Sequence, residues 1–179
     1  QMCIRDRSII VRRDFCDLTL IGNPEKIAEI CQRESIDLPI AEDGKRGVTI
    51  IDLDNNDYTE DFAKTYAELR AHKGMTLEGA QNRMMDPSYF GTMLVHKGIV
   101  DGMVSGAVNT TANTIRPSLE FIKTREGVKV VSSVFLMLME DRVLVFGDCA
   151  VNPNPNSEQL ADIAKASAET ARQFGVDPK

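Results

Sequence analysis

Short apolar, β-rich runs alternate with stretches of helical periodicity along this chain, and that alternation restricts it to architectures in which helices cover a sheet. Cys16 to Ile21 is an apolar run that ends at Gly22-Asn23-Pro24, followed by Ile27, Ile30 and Cys31 at helical spacing, so it predicts strand, turn and helix. Gly47 to Leu53 predicts a second strand, left through the acidic Asp54 to Asp57. A helix should follow, with Thr59 as N-cap, Phe62, Tyr66 and Leu69 as its buried stripe, His72 and Lys73 in its last turn and Gly74 past its end. Thr76 should cap a short helix to about Met84. Asp86-Pro87 supplies a cap and a proline at the first helical position for a helix that Gly98 ends. Met103 to Ser105 predicts a short strand, and Ile115, Leu119 and Ile122 a helix. Val130 to Met139 and Arg142 to Phe146 read as a hairpin turning at Glu140-Asp141. Asn156 to Phe174 is a last amphipathic helix, with Leu160, Ile163, Ala164, Ala168 and Ala171 on one face. Gln1 to Ser8 shows neither periodicity, as expected of a remnant.

The fold class expected is α/β, a three-layer α/β/α arrangement with a mixed, mostly parallel sheet. The hairpin changes the topology from alternating units to adjacent strands, which places a domain boundary at Gly127. Residues 1–127 then form a first α/β domain, incomplete at its N-terminus, and 128–179 the beginning of a second.

Several function classes lose their warrant. The 179 residues carry 21 basic and 27 acidic side chains, a formal charge of -6, and the acids concentrate between Glu42 and Asp61, so no basic stripe offers itself to nucleic acid. No window approaches the roughly 18 consecutive apolar residues of a membrane span, and no signal peptide opens the chain. Cys3, Cys16, Cys31 and Cys149 match neither a CxxC pair nor a disulfide framework, which predicts reduced thiols in a cytoplasm. His72 and His96 have no cysteine or acid at ligand spacing, so they read as surface histidines near helix ends and no metal is expected. G-x-G-x-x-G, Walker A and H-E-x-x-H motifs are absent.

The segment Asp101 to Pro117, DGMVSGAVNTTANTIRP, carries the most chemistry. It predicts a strand end, a run of small polar residues (Asn109, Thr110, Thr111, Asn113, Thr114) and a helix with Arg116 in its first turn. A helix start presents unpaired N–H groups to an anionic oxygen, and arginine adds a planar fork that holds phosphate bidentately. The competing reading is that the Thr/Asn cluster only caps the helix. Arg70 lies beside the Phe62, Tyr66, Leu69 stripe, at the rim of a buried face, where most arginines make surface ion pairs of little worth. Asp148, at a strand end, is a candidate base or hydrogen-bond orienter, and equally a turn former. Cys149 has no histidine near it in sequence and is read as structural.

The strings ELRAHKGMT (68–76), DGMVSGAVNTTANTIRP (101–117), VVSSVFLMLM (130–139) and FGDCAVNPNPNSEQLADIA (146–164) resemble, in order, the phosphate acetyltransferases, in particular the catalytic region of the long bacterial form. The resemblance covers about Leu18 to Lys179. It implies reversible acetyl transfer between coenzyme A and inorganic phosphate, giving acetyl phosphate, through a ternary complex in a cleft between two α/β domains. It assigns phosphate binding to Arg70 and Arg116, with Thr110 and Thr111 near the same pocket; Asn109, Asn113 and Asp148 are candidate cleft-lining residues from the sequence pattern itself. Acetyl-CoA or coenzyme A enters as substrate, no cofactor is held permanently, and a full-length homo-oligomer in the cytoplasm is expected.

Two departures qualify the resemblance. The family's Ser-Arg-Gly motif, and the aspartate assigned as base for the coenzyme A thiol, are absent from this chain, which stops at Asp177-Pro178-Lys179, so its catalytic residues are unknown and the polypeptide alone is expected to be inactive. Gln1 to Arg13 also does not match the family's opening strand-helix unit. The competing functions are phosphate butyryltransferase, a non-catalytic regulatory domain like those fused to malic enzymes, and a generic phosphate-binding module.

Overall fold

The structure, a computed structural model, describes residues 2–41 and 47–179, so the first part of the acid-rich stretch lies outside the described residues. In chain order the elements are α1 (Met2–Arg12), β1 (Leu18–Ile21), α2 (Pro24–Arg33), β2 (Val48–Ile51), α3 (Thr59–Arg70), α4 (Leu77–Met84), α5 (Pro87–His96), α6 (Thr111–Pro117), β3 (Val134–Leu138), β4 (Val143–Gly147) and α7 (Ser157–Gln173). The α/β class expected from sequence holds. Among the described residues the parallel and antiparallel pairings lie in two separate two-stranded ladders. The chain divides into two compact units, Gln1–Phe121 and Ile122–Lys179. Gly127, the boundary expected from sequence, lies just inside the second.

In the first unit β1 and β2 pair in parallel, Leu18 opposite Val48 and Ile21 opposite Ile51, with α2 as the crossover that parallel strands require. Asn23 caps α2 by accepting from the Lys26 N–H, and Pro24 occupies its first turn. α5 is apolar nearly all round, and Ser88 to Leu94 are all buried, as a helix in the middle of a core must be. Around it α3 and α4 contribute Phe62, Ala63, Tyr66, Ala80 and Met84, and the segment after α6 contributes Phe121. Phe62 packs on Phe90 with ring centroids 5.0 Å apart, and Tyr66 meets Tyr89 and Phe121 edge-on at 5.8 and 5.7 Å.

Four local expectations for this unit change. Met2–Arg12 is helical, although Gln1 to Ser8 lacks helical periodicity: Ser8 Oγ donates to the Asp37 carbonyl at 2.6 Å and Arg12 pairs with Asp37 at 2.8 Å. Polar tertiary anchors of that kind leave no apolar period to count. Thr59 is the first helical residue of α3 and not its cap; Asn56 Oδ1 accepts from the Tyr58 N–H, the Thr59 N–H and the Thr59 hydroxyl. A 3₁₀ turn, Ala71–Lys73, follows, and Gly74 ends it at φ 75°, a left-handed conformation that favours glycine. Met103 to Ser105 is loop: among the described residues no strand pairs with it, and Val104 is 96% exposed. Finally, Thr110 starts α6 early, so Arg116 falls in its last turn and Pro117 inside it. Pro117 brings no N–H for the next helical bond, and the chain widens into a π turn, Ser118–Ile122.

In the second unit β3 and β4 form the expected hairpin, Leu138 opposite Val143, with the Met139 N–H donating to the Arg142 carbonyl across Glu140-Asp141. α7 packs against β4. A Cβ at Gly147 would overlap the Ser167 hydroxyl, so any larger residue there requires that hydroxyl to turn away. The helix opens on a capping box between Asn156 and Gln159. Its buried face differs from the one expected: Ile163 and Ala171 are buried, while Leu160 and Ala164 face solvent. The hairpin contacts one side of α7 only, so half of the apolar stripe finds no partner within this unit. Among the described residues no helix is long and apolar enough to cross a membrane.

Candidate functional site

Tyr66 and Arg70 stand one helical turn apart on α3, and Arg116 and Glu120 have the same spacing across the end of α6 and its π turn. The fold brings the first pair to Glu120. Tyr66 Oη donates to Glu120 Oε2 at 2.6 Å, and Arg70 Nη2 lies 3.9 Å from Glu120 Oε1. The Arg70 side chain is 23% exposed and that of Glu120 19%. The Arg70 Nε is buried and has no hydrogen-bond partner, and the same holds for the Tyr89 hydroxyl. Arg83 stacks over the Tyr89 ring, 5.2 Å from its centroid.

Burial raises the Tyr89 hydroxyl pKa and the Glu120 charge raises it further, while Arg83 and Arg116 draw it down. Tyr66 is pushed up strongly, first by burial and then by its bond to Glu120, so it keeps its proton and remains a donor. Arg116 itself is exposed.

The small polar residues before α6 divide by task. The Thr110 hydroxyl accepts from the Asn113 N–H and caps the helix, the non-functional reading of that cluster. Asn109 Nδ2 donates to Ser88 Oγ at 3.1 Å, which pins the loop to the start of α5. Thr111 and Asn113 are exposed. With Arg116 in the last turn of α6, the helix start and the guanidinium lie at opposite ends of one short element.

In the second unit Asp148 is the hub of the loop that leaves β4. Its carboxylate accepts from Ser133 Oγ at 2.6 Å, from the Ala150, Val151 and Asn152 N–H groups, and from Asn152 Nδ2 at 2.6 Å. Burial pushes its carboxyl pKa up, but the bonds from Ser133, Ala150, Asn152 and Val151 together outweigh this and hold it well below the usual carboxylate range. The Ala150, Val151 and Asn152 N–H groups that converge on it make the bonds of a turn former, one of the readings its place in the sequence allowed. Cys149 Sγ donates to the Phe146 carbonyl at 3.0 Å. A recess of about 220 Å³ beside Arg125 and Glu169 is lined by none of the predicted site residues.

Sequence reasoning missed Glu120, the Tyr66 hydroxyl, Tyr89, Arg83, Ser88 and Ser133. For Glu120 a signal existed: a carboxylate one turn beyond Arg116, matching the Tyr66 to Arg70 spacing.

Comparison with known proteins adds the following. The family model described as phosphate acetyl/butaryl transferase matches residues 4–179, so the likeness extends upstream of Leu18 into α1. A phosphate acetyltransferase from Nitratidesulfovibrio vulgaris is 51% identical over 176 residues, 98% of this chain and 24% of that protein. One from Corynebacterium glutamicum is 48% identical over 170 residues, 95% of this chain and 50% of its own length. The EutD phosphotransacetylase of Staphylococcus aureus superposes with a TM-score of 0.83 at 35% identity, over 96% of this chain and 50% of that one. The chain thus spans between a quarter and a half of the relatives it matches.

Proposed function

Because the chain belongs to the phosphate acetyl/butaryl transferase family, we propose that it takes part in moving an acetyl group between coenzyme A and inorganic phosphate. Arg70 and Arg116 bind the phosphate oxygens. Thr110 and Thr111 border the same pocket, Thr110 by fixing the start of α6, and Asn109 and Asn113 line it. Asp148 holds the loop after β4. The observation that carries the phosphate role is the buried, unpartnered Nε–H of Arg70. It is one of five N–H donors of the guanidinium and finds no acceptor among the described residues, which suits an anion that bonds an arginine bidentately. Transfer within a ternary complex uses proximity of thiol and phosphate rather than an acyl-enzyme, which leaves Cys149 a structural thiol.

Acetyl-CoA and coenzyme A are substrates in this reading, no cofactor is held permanently, and the intact protein is a cytoplasmic homo-oligomer whose second α/β domain begins near residue 128. The relatives named phosphate acetyltransferase favour acetyl over butyryl.

The test is steady-state kinetics on the intact gene product that carries this chain, assayed for acetyl phosphate from acetyl-CoA and phosphate. Arg116→Lys keeps the charge but loses the fork, and should raise the phosphate KM about tenfold while leaving the coenzyme A KM within about twofold. No acetyl phosphate from the parent enzyme refutes the activity; unchanged phosphate kinetics in the variant refute the site. Faster turnover with butyryl-CoA would reassign the acyl group.

A further inference from the structure

We propose that Glu120 is a positioning residue, which fixes the Arg70 guanidinium relative to Arg116 while leaving its hydrogen-bond donors open. The proposal rests on the phosphate-binding reading of Arg70. Glu120 touches Arg70 by charge and sits on the Arg116 segment by covalent connection. At 3.9 Å, Arg70 Nη2 and Glu120 Oε1 attract one another without a hydrogen bond, so the pair orients the guanidinium and consumes none of its N–H groups.

The reason the pair stays long is Tyr66. Its hydroxyl holds the other carboxylate oxygen at 2.6 Å. Tyr66 is itself 1% exposed and wedged edge-on between Tyr89 and Phe121, so it cannot follow the carboxylate toward Arg70. Two further features of the backbone place Glu120 there. Pro117 interrupts the helical ladder, and the π turn that follows sets the direction in which the Glu120 side chain leaves the chain. Without Tyr66, an unrestrained carboxylate would close on Arg70 as a bidentate pair and compete with the incoming anion.

The experiment is a double-mutant cycle on the intact gene product, with phosphate kcat/KM, coenzyme A KM and thermal unfolding as readouts. Glu120→Gln keeps the shape and removes the charge; it should lower kcat/KM for phosphate about tenfold with the coenzyme A KM within about twofold. Tyr66→Phe keeps the carboxylate but releases it, and should raise the phosphate KM about threefold. In an Arg70→Ala background each change should add less than about twofold, because the group they position is gone. A merely structural role would move the melting temperature and persist in that background. Either variant acting at full size without Arg70, or Glu120→Gln leaving phosphate use unchanged, overturns the proposal and leaves the phosphate reading of Arg70 standing. An Arg70→Ala enzyme with normal phosphate kinetics overturns both. If Glu120→Gln does not fold, Tyr66→Phe runs through the same cycle with the same outcomes.

Discussion

Asp148 shows how one side chain can organise a loop. Six groups from Ser133, Ala150, Val151 and Asn152 donate to its carboxylate, and Asn152 Nδ2 also reaches the Val131 carbonyl, so the segment before β3 is tied to the segment after β4. Because these bonds favour the charged form and hold the carboxyl below its usual range, the folded state gains stability above the ordinary carboxylate pKa and loses it as pH falls. Asp148→Asn removes the charge and should cost the intact protein about 2 kcal/mol at neutral pH, by the usual worth of hydrogen bonds to a charged group. The difference from wild type should narrow below about pH 4, where the unfolded carboxyl takes up its proton. Thermal or urea unfolding at several pH values measures this. A gap between the two proteins that is constant from pH 7 to pH 3 would refute the charged role.

Among the elements, α3 begins differently from what capping statistics alone suggest, whereas α6 begins as they do. α3 is started from three residues upstream by Asn56, whose Nδ2 donates to the Asp52 and Leu53 carbonyls while Oδ1 serves the first turn. That side chain therefore connects the end of β2 to the helix carrying Tyr66 and Arg70. Asn56→Ala should cost about 1–2 kcal/mol, the range measured for lost N-caps, and should speed amide exchange at Tyr58 and Thr59. Unchanged exchange at those two amides would show that the turn closes without it. In α6 the Thr110 cap and the interior Pro117 confine the helix to seven residues. This short reach puts Arg116 in the last turn of α6 rather than at the helix start.

The two units differ in how completely they bury their apolar surface. The first encloses Phe62, Tyr66, Phe90, Met84 and Met93 at 1% exposure or less. In the second, Leu138 is 78% exposed and Phe174 63%, with Phe135, Phe146 and Leu160 also open, and the hairpin has two unpaired strand edges. Apolar side chains and open edges of this kind favour association. Residues 1–179 expressed alone are therefore expected to bind a hydrophobic dye, to aggregate on warming and to form no acetyl phosphate. Size-exclusion chromatography, dye fluorescence and the acetyl phosphate assay test this together. A monodisperse, cooperatively melting chain with turnover would contradict it.

Most elements were legible from local signals, because each of those signals acts within a few residues. Asn23-Pro24, Thr76 and Asp86-Pro87 mark helix starts, Gly74 an end, and alternation from strand to helix implies the parallel β1 and β2 pair. The strings around Arg70 and Arg116 singled out these two arginines as candidates for the phosphate site proposed above. Where a residue's partner lies far along the chain, the sequence was silent. The Ser8 to Asp37 anchor that accompanies α1, the loop state of Met103 to Ser105, the rotated face of α7 and the Glu120 bond to Tyr66, 54 residues away, all depend on which surfaces meet. Periodicity records what a segment would bury, whereas only packing determines what is available to bury it and which polar groups are left without a partner.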